Sequence, residues 1–293
     1  MTRPLLALAL LAVAAASAAQ PAGAPGPGAP GLDGCLDRVE PYAAGEPGPA
    51  DDETTVEWAG PAGGALRYVG VRHTRNAADP QVEAVAAAFR AFRPTVAYVE
   101  GPARPIGTTA DETVRQTGES GLVRWLAAEA GVEVRRLDPA HPADEFAAVA
   151  AAVGAERAAL FFVLREAARL RDREGLGGAD LDAAVGALLT RAAPLGLPVG
   201  TLAELEAATA RQLGAPTDWR AAPAAWFDPG ADDAVTGGVF MAEANRASSH
   251  ARDRYMAREL AGAVRSGERA FAVVGRNHVP KQAPALRCAL QAP

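Results

Sequence analysis

Apolar and polar positions change period several times between residues 66 and 290. The run Leu66-Arg-Tyr-Val-Gly-Val-Arg72 is short and β-rich, and Thr95–Val99 and Val132–Leu137 repeat that character. Between these runs the period lengthens. Pro80 opens a stretch in which Val82, Val85, Phe89 and Phe92 fall on one helical face, and a second helix is expected from Glu119 to Ala130, carrying Leu122, Trp125 and Leu126. Gly101-Pro102 and Asp138-Pro139 stop the second and third strands. Strand, helix, strand, helix, strand predicts an α/β fold: a mainly parallel sheet with helical crossovers.

The middle of the chain reads differently. Phe146–Arg173 and Leu181–Leu213 are helical in pattern, interrupted at Gly175–Gly178 and Pro194–Pro198. Leu160-Phe-Phe-Val-Leu164 is apolar on every side, which predicts burial rather than a surface stripe. A Pro-, Gly- and Asp-rich loop, Ala215–Gly238, leads to a long helix over Phe240–Ser266, a last strand at Ala270–Val274 and a short helix at Ala283–Ala289. The expected organisation is one α/β domain over 53–293 with an all-helical insertion at about 140–238.

The N-terminus belongs to another category. Met1-Thr2-Arg3, the apolar run Leu5–Ala16 and Ala16-Ser17-Ala18 read as a signal peptide over 1–19, so the mature chain is expected to be periplasmic or secreted. The Pro/Gly/Ala-rich residues 20–34 and the similar stretch 45–52 read as a linker over 20–52. No stretch of the body reaches the roughly 18 to 20 apolar residues that span a bilayer, so no stable membrane insertion is expected after cleavage. With 49% apolar and 22% charged residues, the 293-residue chain is not wholly disordered. Its net charge of −6 and lack of a basic run give no reason to expect nucleic acid as a partner. Export also changes the meaning of the two cysteines, Cys35 and Cys288: an even pair in an oxidising compartment favours a disulfide.

Candidate chemistry begins with four histidines, two of them in one frame. Gly70-Val-Arg-His73 and Gly275-Arg-Asn-His278 both follow an apolar β-run, at the carboxyl end where open α/β sheets place their sites. Glu100 stands at the end of the second strand, where a carboxylate could bind a metal with His73 or act as a general base. Arg252 lies on the helix that leads into the last strand, and its permanent charge suits an oxyanion or the orientation of Glu100. His141, in a loop beside Pro142, and His250, facing away from Arg252, read as non-functional, the latter as surface. G-x-S-x-G, H-E-x-x-H, Walker and dinucleotide-binding signatures are absent, which disfavours a serine hydrolase.

Taken in order, G-x-x-H, a strand-end Glu, Arg252-Asp-Arg-Tyr-Met256 and a second G-x-x-H resemble the superfamily of TraB/GumN, Tiki protease, erythromycin esterase and ChaN proteins, over residues 66–290. The resemblance implies an α/β fold with the site between its halves. It assigns His73, Glu100, Arg252 and His278 to characteristic positions, and Glu119, in Thr117-Gly-Glu-Ser120, to a second Gly-Glu found in many members. Asp253 departs from the pattern, standing where the helix motif often has Asn. Tiki-type members are metal-dependent peptidases, erythromycin esterases open a lactone and ChaN binds haem, so the motif alone does not choose the reaction. The leading expectation is an exported hydrolase of a peptide or small molecule. His73 and Glu100 would hold a divalent metal (Mn, Co or Zn) or a water, with His278 as third metal ligand or general acid/base, and Arg252 would stabilise the oxyanion. Alternatives are a metal-free, esterase-like hydrolase with His73 or His278 as base, and a non-catalytic periplasmic haem- or metal-binding protein.

Overall fold

Five strands form one sheet in the order β1-β2-β5-β3-β4: β1 Thr55–Ala59, β2 Ala65–Val71, β3 Val96–Val99, β4 Glu133–Arg136 and β5 Arg269–Gly275. The computed structural model describes residues 31–139, 142–193, 197–213, 218–235 and 239–291. The expected signal segment and His141 lie outside them. β1 pairs antiparallel with β2, and the remaining neighbours are parallel. The fold is therefore α/β with a mainly parallel sheet, as the alternation predicts, plus an antiparallel edge strand.

The helices in chain order are α1 Leu32–Leu36, α2 Pro80–Phe92, α3 Ala110–Ala130, α4 Pro142–Val153, α5 Ala155–Glu174, α6 Gly178–Ala192, α7 Leu202–Leu213, α8 Val239–Arg265 and α9 His278–Gln291. Pleating sends alternate side chains of β5 to opposite faces. Phe271 and Val273 join Val85 and Phe89 of α2 and Leu122 and Leu126 of α3. Ala270, Ala272 and Val274 join Met256, Leu260 and Val264 of α8 and Leu286 of α9. A third core unites α4 to α7 with the start of α8, and buries Phe161, Leu164, Val185, Leu205 and Trp219. Leu160, Phe161, Val163 and Leu164 thus lie inside, as the apolarity of the run predicts, while Phe162 is partly buried against the same core.

Helix boundaries follow local chemistry. Asp79 accepts a hydrogen bond from Gln81 N–H, with Pro80 in the first turn, and so starts α2. α3 begins at Ala110 rather than Glu119, because Thr109 accepts from Glu112 N–H and caps it earlier. Glu119 is consequently in mid-helix, at a bend where Gly118 takes φ 70° and ψ −155°. α9 begins at His278 rather than Ala283. Pro280 falls in its first turn, where no amide donor is needed.

The stretch read as a linker is, from residue 31 onward, part of the folded body. Cys35, Leu36, Val39 and Tyr42 are buried against α8 and α9. Cys35 and Cys288 form a disulfide with Cα atoms 5.5 Å apart. Arg254 and Arg258 on α8 pair with Asp37 and Asp33 at 2.9 and 3.0 Å. Gly and Pro deny this segment a core of its own, but a few spaced apolar residues suffice once it is pinned to another core. Among the described residues no helix is long and apolar enough to cross a membrane.

Candidate active site

β5 lies between β2 and β3, so three parallel strands end side by side. Val71 is opposite Gly275, and Val99 is opposite Val273. Neighbouring strands are about 4.8 Å apart, so residues emerging from these ends meet. His73 follows β2, Glu100 follows β3 directly, and His278 starts α9 just after β5. Gly275 is the point of convergence. A Cβ there would stand 3.3 Å from His73 Nε2, 3.5 Å from His278 Cδ2 and 3.6 Å from Glu100 Oε2. Absence of a side chain leaves this space to the three groups.

Glu100 is the electrostatic centre. Arg252 donates to its Oε1 at 3.0 Å, His278 Nε2 faces the same oxygen at 3.5 Å, and Gly275 N–H donates to Oε2 at 2.5 Å. Burial pushes this carboxyl up, but His278, Arg252 and the Gly275 amide together hold it well below the usual carboxylate range. Arg252 also reaches Asp138 Oδ1 at 3.4 Å, while Asp138 Oδ2 accepts from Gly101 N–H at 2.7 Å and fixes the turn after β3.

His278 sits between two carboxylates. Its Nδ1 donates to Asp253 Oδ1 at 2.5 Å, opposite the Nε2 that faces Glu100. Burial alone would lower its pKa, yet Asp253 and Glu100 outweigh it and carry the imidazole up to about 10. At neutral pH the ring is an imidazolium with both nitrogens protonated. Asp253 is fully buried and also accepts from Gln282 Nε2 at 2.6 Å, and Gln282 in turn accepts from Tyr68 Oη at 2.9 Å. Tyr42 completes the group, its hydroxyl 3.4 Å from His278 Nδ1.

His73 is more open, with 60% of its side chain exposed. Its Nδ1 faces Glu119 Oε2 at 3.6 Å, which leaves Nε2 turned toward the space beside Gly275. Glu119 raises the pKa of His73 above its ordinary value, against burial and Arg173 and with help from Glu100. Glu119 is itself held by the Thr74 N–H at 2.5 Å. The bend at Gly118 permits that contact, since a Cβ there would lie 2.9 Å from Thr74 O.

All five expected site residues therefore gather at one end of the sheet, though in two shells. His73, Glu100 and His278 line the space beside Gly275, Arg252 stands behind Glu100, and Glu119 stands behind His73. No protein-family model, curated protein or solved structure matches this chain. The site is read from its own geometry.

That geometry does not fit the metal expected from the resemblance. Among the described residues no three His, Cys, Asp or Glu side chains stand where they could share one ion. Glu100 has donors on both oxygens, and His278 has a carboxylate on each nitrogen. Arg252 is distinct from its neighbours Arg254 and Arg258 on α8: those two hold α1, while Arg252 turns to Glu100. His250 is not a surface residue. It is half-buried, its Nδ1 has no hydrogen-bond partner, and burial lowers its pKa.

Asp253, Asp138, Tyr42 and Gln282 are the site residues that motif reading missed. Asp253 had a signal: it falls on the α8 stripe that continues through Met256, Leu260 and Val264, all fully buried. A carboxylate on an apolar helical stripe must have a buried partner. Asp138 had another, since it ends a strand as Glu100 does. Tyr42 had none, lying in Pro/Gly-rich sequence far from every motif.

Proposed function

We propose that this chain is an exported, metal-independent hydrolase that adds water to an ester or amide carbonyl. The observation that carries the reading is the pair of histidines facing one space from adjacent strand ends, each backed by its own carboxylate, with His73 open to solvent and His278 enclosed between two carboxylates. His73, oriented by Glu119 through Nδ1, presents Nε2 as the general base that takes a proton from water. The imidazolium of His278 supplies positive charge for the oxyanion that forms as water adds, and the guanidinium of Arg252, behind Glu100, holds that carboxylate in place. Glu100 keeps both cations in place. As the tetrahedral intermediate collapses, the proton held by His73 passes to the leaving alkoxide or amine, and the base is restored.

The order of motifs resembling the TraB/GumN, Tiki, erythromycin esterase and ChaN superfamily supports this reading, and the esterase-like branch suits it better than the metallopeptidase branch. The Cys35–Cys288 disulfide supports an oxidising, exported setting, together with the expected signal segment. The test is hydrolysis of a panel of p-nitrophenyl esters and fluorogenic peptides by the purified mature chain after exhaustive chelation. Wild type is expected to retain its rate in EDTA, and His73→Ala to lose about 100-fold or more in kcat/KM. Loss on chelation with recovery on adding Mn, Co or Zn would reverse the metal conclusion. Full activity in both His73→Ala and His278→Ala would remove the hydrolase assignment.

A further inference from the structure

The segment from Leu32 to Asp51 does more than tie the chain ends. It is pinned at one end by the disulfide to α9. Glu40 N–H donates to Lys281 O at 2.9 Å, and Lys281 Nζ donates to Pro41 O at 3.1 Å. Lys281 Nζ also pairs with Glu46 at 2.5 Å, and Arg276 pairs with Asp51 at 3.4 Å and donates to Pro49 O. These contacts flank a single buried aromatic side chain. Tyr42 is 6% exposed, and its ring lies 5.3 Å below the Lys281 ammonium. Its hydroxyl stands 3.4 Å from His278 Nδ1, on the side of the ring occupied by Asp253.

Asp253 explains why a hydroxyl is needed there. Its Oδ1 accepts from both His278 and Gln282, whereas Oδ2 is buried with no partner. The His278 Nδ1 proton is committed to Asp253, so the Tyr42 oxygen has no short bond to accept, and its own proton is free to rotate toward the carboxylate. A buried carboxylate with an unfilled acceptor carries a desolvation penalty that one further donor relieves.

We infer that Tyr42 is a positioning residue, whose hydroxyl donates to Asp253 and thereby holds His278 in register with Glu100, and that the disulfide-pinned segment delivers it. The inference rests on the reading of His278 as the cationic histidine of the site, and it concerns what orients that ring.

The experiment uses the full mature chain, with the disulfide intact except in the one sample that is reduced. Tyr42→Phe keeps the ring and removes only the hydroxyl. With p-nitrophenyl acetate as probe, kcat is expected to fall about 10- to 100-fold with KM within about twofold and the thermal midpoint nearly unchanged. Packing alone would leave kcat intact in Tyr42→Phe and lower it only in Tyr42→Ala, and that outcome overturns the inference. A readout independent of turnover is the ring ¹⁵N spectrum of histidine-labelled protein, with His278 assigned by its loss in His278→Gln. The His278 signals are expected to move in Tyr42→Phe, and in native protein reduced with a phosphine, while those of His73 stay. Unmoved His278 signals in Tyr42→Phe overturn the positioning role, and unmoved signals after reduction overturn the delivery by the disulfide. If wild type turns over neither esters nor peptides, the hydrolase reading fails by itself while the spectrum still decides the role of Tyr42.

Discussion

Asp253 and His278 form the least expected pair in the protein, a carboxylate and an imidazolium sealed between α8 and α9. Their consequence is a stability that is lost toward alkaline pH. An unfolded histidine titrates near 6.5, while His278 in the folded chain titrates at about 10. The folded form therefore binds the proton more tightly, so the stabilisation is complete below about pH 6.5 and is lost as pH rises through 10. The urea midpoint is expected to decline between pH 7 and pH 10. In Asp253→Asn the decline should flatten, and the variant should be about 3 kcal/mol less stable at pH 7, because removing one partner leaves the other charge buried without compensation. An unchanged slope in that variant would show that His278 is not the titrating group. Glu100, held low by cations and an amide, adds a loss of stability only on the acid side.

At the level of elements, the site depends on where strands end and how one helix bends. β2, β5 and β3 are adjacent and parallel, which brings two histidines and a glutamate to one edge. α3 then supplies Glu119 from mid-helix only because Gly118 breaks its regular course. Gly118→Ala tests that bend. Alanine disfavours the positive φ, and its Cβ would press on Thr74 O at 2.9 Å. A loss of about 1–3 kcal/mol in urea unfolding is expected, together with a fall in activity as Thr74 and His73 are displaced. Activity equal to wild type would detach Glu119 from the function. The motifs did mark the right strand ends, since each follows a run of β-rich apolar residues. Their pairing order was not legible: strand neighbours are chosen by helices packing across the sheet, and no residue in G-x-x-H encodes that.

For the whole molecule the governing feature is the Cys35–Cys288 bond, which links residues 253 positions apart. In the loop-entropy account a closure of that size stabilises by about 5 kcal/mol. Cys35→Ser/Cys288→Ser is expected to lose several kcal/mol in urea unfolding while keeping its far-ultraviolet circular dichroism at 20 °C. A loss below about 1 kcal/mol would mean that the ionic contacts of α1 with α8 already hold the N-terminal segment. The same bond explains why residues 31–52 read as linker and fold as body. Composition reports whether a segment can build a core alone, and this one cannot. Pinned to α9, it needs only Leu36, Val39 and Tyr42 to dock on a core made elsewhere.

By itself the sequence determined the α/β class, the helical middle and five residues that gather at one end of the sheet, because periodicity, caps and short motifs are local properties of the chain. Tertiary structure alone decided the strand order, the burial of Asp253 against His278, the contact of Glu119 with His73 and the arrival of Tyr42. Each of these joins residues distant in sequence, and the energy that selects them, burial of charge with its partner and of apolar faces with each other, exists only once the layers have closed.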